Sequence, residues 1–303
     1  MTPSTPVRCL TIDVEEYFHT EAARASGAID RGRWPARVEA AMDRLLGVFE
    51  ARGVKATLFF LADVAKQSPG LVRRCAEAGH EIASHGSGHD RLHRLTPVSF
   101  GRTLEESRRR LEDLTGRAVL GYRAPTWSVT RRTAWAVDVL AESGFAYDAS
   151  VFPVHHPQYG VADAPLSPYL LRGSPGRPTL LEVPPLVYEV GGRRVACAGG
   201  GWFRLLPTAL MRRGLDQAER QGRPAVLYFH PWEFDPETPR MPMGWVGHVR
   251  TYTGLSRSLD RLDPILRDYG PWTSLAAWLP AFEGAARERG GFTLVDTPGR
   301  AAA

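Results

Sequence analysis

The chain has 303 residues, 43% of them hydrophobic and 23% charged, which is enough apolar material for a buried core without disulfide staples. Its formal net charge of +5 is almost wholly arginine, since Lys55 and Lys66 are the only lysines, and the arginines form no basic stripe interleaved with aromatics, so a nucleic-acid partner is not expected. Cys9, Cys75 and Cys197 are odd in number and form no CxxC pair, so they read as reduced structural thiols; with no basic-then-apolar leader and no apolar run near the roughly 18 residues of a membrane span, the expected location is cytoplasmic.

In chain order, residues 7–14 are a short apolar-rich segment that runs into acids. Residues 34–53 have helical spacing through Val38, Met42, Leu45, Leu46 and Phe49, closed by a glycine. Residues 56–61 read as a buried strand, 69–79 as a helix and 80–84 as a strand. Thr96 caps a helix with Pro97 at its first position, running to about Leu114. A strand over 119–122, a helix over 130–144 and a strand over 145–147 follow. This strand–helix alternation predicts βαβ units and a parallel sheet. The pattern then breaks. Residues 151–176 read as an irregular insertion, and 179–197 as a β-hairpin turning at Gly191-Gly192. A helix over 207–222 and a buried strand over 225–229 restore the alternation. Residues 236–254 read as loop, 256–269 and 274–282 as helices, and 298–303 as a disordered tail.

Reactive residues fall at the ends of these strands: Asp13 and Glu15, His85 and His89, Arg123, Asp148, and His230. In parallel α/β folds the strand carboxyl ends converge on one face, where active sites lie. His85 and His89 form an HxxxH pair whose imidazoles can reach one metal ion from one face of a helical turn, although Gly86 and Gly88 argue for a tight loop instead. Such a site needs a carboxylate. Strand alternation puts Asp13 and Glu15 on one face and Glu16 on the other. Paired carboxylates repel unless a cation intervenes, so a metal on Glu15 and an arginine on Asp13 are one resolution, and a solvated acidic turn is the other. His80 and His93 lack a motif partner and read as structural.

The segments TIDVEE (11–16), SHGSGH (84–89), YRAPTW (122–127), YDAS (147–150) and LYFHPWEFD (227–235) occur in the order of the five motifs of the NodB-like polysaccharide deacetylases, carbohydrate esterase family 4, which this chain therefore resembles. GGGWFRLLP (199–207) and FHPWEFDP (229–236) are similar to the subfamily found in exopolysaccharide loci with exosortase/PEP-CTERM systems. The resemblance implies an α/β fold, a distorted (β/α) barrel with a β-hairpin insertion and a C-terminal helical extension. Residues 1–236 would be the catalytic domain, irregular over about 151–200, with 237–303 packed onto it. It implies a hydrolase that removes acetyl groups from an N-acetylated glycan in exopolysaccharide biosynthesis, holding one divalent metal ion, most simply zinc. Peripheral association with a polysaccharide-synthesis complex at the inner membrane fits that role.

The implied roles are Asp13 as general base held by Arg123, His85 and His89 as metal ligands with one first-motif acid, and His230 as general acid. Asp148 would orient His230 or line the groove. The family's first motif has adjacent aspartates; here Val14 separates Asp13 from Glu15, so Glu15 is the expected third ligand with Glu16 as its substitute. Trp127, Trp202 and Trp232 are candidates for stacking on sugar faces or for core packing. Two other functions remain open: an allantoinase-like or cyclic-imide hydrolase on the same scaffold, and a catalytically inactive carbohydrate-binding protein.

Overall fold

The computed structural model describes residues 6–25, 34–156 and 158–295. The expected tail at 298–303 lies outside them. Strands β1 (Arg8–Val14), β2 (Thr57–Phe60), β3 (Glu81–Ser84), β4 (Gly121–Tyr122) and β5 (Tyr147–Asp148) pair in parallel in sequence order, β1 lying at one end of this run. On the far side of β5 come β6 (Tyr169–Arg172) and β7 (Thr179–Glu182); beyond β1 comes β10 (Ala225–Phe229). A two-stranded ribbon, β8 (Val187–Val190) and β9 (Arg193–Ala196), stands apart, and β11 (Gly291–Thr293) joins the far edge. The nine-stranded order is β10-β1-β2-β3-β4-β5-β7-β6-β11, with only β6–β7 antiparallel. It is the expected α/β architecture: a distorted barrel that does not close by hydrogen bonds between β10 and β11.

Helices α1 (Glu21–Ala25), α2 (Val38–Ala51), α3 (Ala62–Gln67), α4 (Pro69–Glu77), α5 (Pro97–Thr115) and α6 (Trp135–Glu142) connect the first strands. α7 (Gly200–Leu205) and α8 (Thr208–Arg220) precede β10; α9 (Trp245–Tyr252), α10 (Ser258–Asp268) and α11 (Leu279–Arg289) follow it. Every residue of β10 is buried, as is every residue of β1 after Arg8, as a parallel strand covered on both faces requires. Thr96 caps α5 by accepting from the Ser99 N–H at 3.2 Å, and Gly116 ends it in the left-handed region.

Four sequence expectations change. Only β8 and β9 form the hairpin expected over 179–197: residues 179–182 are β7, whose Leu180 and Leu181 bury into the main sheet. Gly191 and Gly192 take φ of 56° and 72°, the left-handed pair that a two-residue hairpin turn requires. Residues 151–176 contain β6, and the loop at 236–254 contains α9. The last helix begins at Leu279, after a 3-10 turn at Ala276–Trp278. α3 and β11 are too short to carry a legible period.

Leu262, Ile265, Leu266, Trp272 and Leu294 bury in the same apolar cluster as Leu10, Ile12, Leu58 and Leu227. Thr273 bonds to β1 in both directions, through Leu10 N–H to its carbonyl at 3.1 Å and through its own N–H to the Arg8 carbonyl at 3.1 Å. The outer edge of β10 is met by non-strand chain: Leu186 N–H donates to the Val226 carbonyl at 2.9 Å, and Tyr228 N–H to the Ala198 carbonyl at 3.0 Å. Gly199 bridges to Tyr228 so closely that a Cβ there would sit 1.7 Å from the Tyr228 carbonyl oxygen. No helix among the described residues is long and apolar enough to cross a membrane.

Candidate functional site

Register puts the reactive residues on one level. Val14 pairs with Phe60, Phe60 with Ser84, Ser84 with Tyr122, and Tyr122 with Asp148. The next residue along two of these strands is His85 or Arg123. Ile12 pairs with Phe229, which sets His230 beside Asp13. An open cleft of about 510 Å³ lies over these strand ends, and Asp13, Glu15, His85, His89 and His230 all line it.

Glu15, His85 and His89 are buried, and their ligand atoms lie within 4.8 Å of one another. Glu15 Oε2 is 2.7 Å from His89 Nε2 and 4.0 Å from His85 Nε2, yet makes no hydrogen bond. An unbonded buried carboxylate oxygen between two imidazole nitrogens fits a divalent cation, and two imidazoles with one carboxylate are a donor set suited to zinc. His85 Nδ1 lies 2.8 Å from the Arg123 carbonyl, which turns Nε2 toward the site. Burial pushes the His85 imidazolium down to about 4, leaving the neutral ring that a ligand must be. Burial opposes ionisation of Glu15, but the surrounding His89, His230 and His85 outweigh it and hold the carboxyl well below the usual range. The segment after β3 is a loop and not a helical turn: Gly86 and His89 take φ of 81° and 62°. His89 is thus one of the few non-glycine residues in the left-handed region, a conformation that persists at a site only where its surroundings impose it.

Glu16 lies apart from the two histidines. It points to the other face, as strand alternation predicts, where its carboxylate accepts from the Arg37 and Val38 N–H groups at 2.9 and 3.0 Å and caps α2. Burial, the largest influence, raises its pKa to about 7 against those two bonds.

Asp13 accepts from Arg123 at 2.8 Å. Arg123 is fully buried, also donates to the Ala149 carbonyl and to Thr11 Oγ1, and lies over the Phe59 and Trp127 rings at 4.2 and 4.8 Å. His230 Nε2 stands 3.9 Å from Asp13 Oδ2 and 4.0 Å from Glu15 Oε1. Its other nitrogen, Nδ1, is 3.1 Å from Glu233 Oε2. Burial lowers the His230 pKa, but the bond and charge of Glu233, with Glu15 and Asp13 behind it, win and raise it to about 9.

The carboxylate on His230 is therefore Glu233, and the role expected of Asp148 is corrected. Asp148 neither touches His230 nor lines the cleft. It is fully buried in register with Tyr122 and Glu182, and its Oδ1 accepts from Ser150 Oγ. Burial raises the pKa of both Asp148 and Glu182. Glu233 in turn accepts from Arg204 Nε at 3.0 Å, both side chains being buried. Arg204 also donates to the carbonyls of Arg250, Thr251 and Thr253, which ties α7 to the end of α9. The sequence signal for Glu233 is its place three residues after His230; Arg204 carries none before the fold is known.

Trp232 is buried, donates to Glu15 Oε1 at 3.1 Å and stacks on His230 at 5.4 Å, so it supports the site as well as lining it. Trp127 lines the cleft floor with φ of 53°, packed on Tyr228 and Phe152. Trp202 is 41% exposed and lies outside the cleft lining. His80 is structural, accepting from the Ala56 N–H at 3.1 Å.

Residues 28–147 match a family model described as polysaccharide deacetylase, and residues 149–279 one described as a domain of unknown function, DUF3473. The chain is 31% identical over 113 residues to a peptidoglycan deacetylase of Helicobacter pylori, covering 37% of this chain and 38% of that protein. The chain spans about a third of the length of the curated relatives it matches. Among solved structures, one from Mycobacterium smegmatis, provisionally named a polysaccharide deacetylase, superposes with a TM-score of 0.61 at 22% identity over 99% of this chain and 100% of that one. Puue allantoinase superposes at 0.57 with 16% identity, covering 93% and 92%. These superpositions establish the shared fold.

Proposed function

We infer, from the match of residues 28–147 to the polysaccharide deacetylase family model and from the geometry of the cleft, that the cleft hydrolyses acetamido groups of N-acetylated sugars in a poly- or oligosaccharide. The observation that carries the reading is the facing pair: Asp13, held by Arg123, and His230, held by Glu233, stand 3.9 Å apart at the edge of the Glu15–His85–His89 set. Arg123 orients the Asp13 carboxylate toward the cleft, and the Glu233 carboxylate favours the charged imidazole of His230, which suits the pair to take and to give a proton respectively.

Glu15, His85 and His89 would hold one divalent ion, zinc being the simplest choice. When bound, that ion supplies Lewis-acid polarisation of the amide carbonyl and acidifies water. The Asp13 carboxylate accepts the proton of the attacking water as its oxygen bonds to the acetyl carbon. His230 Nε2 gives its proton to the amide nitrogen as the C–N bond breaks, because an amine leaves poorly unless protonated. Acetate and a free amino sugar result. Trp232 keeps Glu15 and His230 in place.

The likeness of 199–207 and 229–236 to exopolysaccharide-locus proteins supports a role in exopolysaccharide biosynthesis, peripheral to a synthesis complex at the inner membrane. Acetate release from a panel of N-acetylated oligosaccharides, with and without a chelator, tests the activity; a cyclic ureide belongs in the panel because an allantoinase shares the fold. Chelator-sensitive release from a glycan is expected. Hydrolysis of the ureide alone, or retention of full activity in chelator, would overturn the reading.

A further inference from the structure

A second groove of about 540 Å³ adjoins the cleft, and His156, Gln158 and Tyr159 line both. Arg91, Arg131, Arg132 and His93 line this groove, and among the described residues no carboxylate does. Arg91 and Arg131 are partly engaged, at 3.4 Å from Glu21 and 2.5 Å from Asp163, and the Asp163 side chain is itself 62% exposed. Arg132, and Arg250 in the adjoining cleft, are exposed and pair with no carboxylate among the described residues. Burial and then Arg250 and Arg91 lower the pKa of His156; burial and then Arg91, Arg94 and Arg132, against Glu21, lower that of His93. Both histidines are biased toward the neutral ring, so the positive charge of the groove comes from arginine, chiefly from Arg132, since Arg91 and Arg131 already face Glu21 and Asp163.

A concave surface of one sign concentrates the opposite charge, and a guanidinium presents a planar fork suited to carboxylate and phosphate oxygens. A neutral glycan needs neither. Resting on the deacetylase reading of the adjoining cleft, we propose that the Arg91–Arg131–Arg132 groove, with Arg250 at its junction, binds an anionic group on the glycan chain some sugar units from the acetamido group being cleaved. The group is a carboxylate on an acidic sugar or a phosphate on the chain.

The test uses the full, metal-loaded chain and three probes: chitohexaose as the neutral glycan, a hyaluronan hexasaccharide for carboxylate, and chitohexaose 1-phosphate for phosphate. KM for acetate release is measured at low and high salt, with binding followed in parallel by calorimetry. Expected is about tenfold tighter binding of one anionic probe than of the neutral one at low salt, lost at high salt and lost in Arg132→Glu/Arg250→Glu. The preferred probe identifies the anion. Turnover of chitohexaose with no tighter binding of either anionic probe overturns the groove and leaves the deacetylase reading standing. Salt-dependent binding of an anionic probe with no acetate released from any of the three overturns the deacetylase reading and leaves the groove. Neither binding nor turnover overturns both.

Discussion

Asp13 and His230 are near neighbours with opposite proposed needs, and each has its own partner: Arg123 on Asp13, Glu233 on His230. Asp13→Asn keeps the shape and removes the proton acceptor, so kcat should fall by about 10²–10⁴-fold with metal content retained by elemental analysis. His85→Ala should instead lose the metal. Full turnover in Asp13→Asn would place the base elsewhere. Glu233→Gln tests the other side through pH. As the proposed acid, His230 would act in its protonated form, and Glu233 raises the pKa at which that proton leaves. Without the carboxylate the proton leaves earlier, so the alkaline limb of the kcat profile should move to lower pH; an unmoved limb would remove Glu233 from the acid's environment. The residues that line the candidate site were legible because they stand at strand ends in ordered motifs. Glu233 was hidden because Asp148 is an equally good carboxylate in sequence, and only register shows that Asp148 lies in line with Tyr122 and Glu182, below the cleft.

Gly199 and Arg204, at the start and near the end of α7, pack the surroundings of His230. The three consecutive glycines enter α7 because Gly199 lies against the Tyr228 carbonyl, where no Cβ fits. Gly199→Ala should therefore lower Tm, by the equivalent of about 1–3 kcal/mol. Gly201→Ala is the control, since the nearest atom to its Cβ would be 3.9 Å away, and it should be tolerated. Equal melting of the two variants would mean that the backbone yields at Gly199. Arg204→Met removes one of the two cations on buried Glu233, His230 being the other, and leaves one hydrogen bond unmade, a loss of roughly 1–3 kcal/mol. Thermal unfolding reads it, and a shift of under a degree would mean that the α9 carbonyls, rather than Glu233, are what Arg204 serves. At this scale the long helices were legible from their apolar period and caps, as Thr96 and Pro97 show for α5. α7, α9 and β11 were not, because a run of six, eight or three residues whose face is defined by distant partners has no period of its own.

For the whole molecule, residues 237–295 bury apolar side chains in the same core as the sheet. Leu262, Ile265, Leu266 and Trp272 bury against the β1 and β2 side of the core, and Thr273 bonds to β1 directly. Truncation after residue 236 should yield no soluble, cooperatively unfolding protein; a folded 1–236 fragment by size exclusion and near-ultraviolet circular dichroism would show that the extension is dispensable. The parallel sheet itself could be read from strand–helix alternation. Its boundary could not, because what meets β10 from outside is loop. That detail bears on how the protein behaves when crowded or warmed. An open parallel sheet normally offers its last strand as a template for other chains. Here the segment from Leu186 to Gly199 occupies those backbone groups, so self-association through β10 requires that segment to peel away first, and aggregation on heating should be preceded by proteolytic sensitivity between residues 186 and 199.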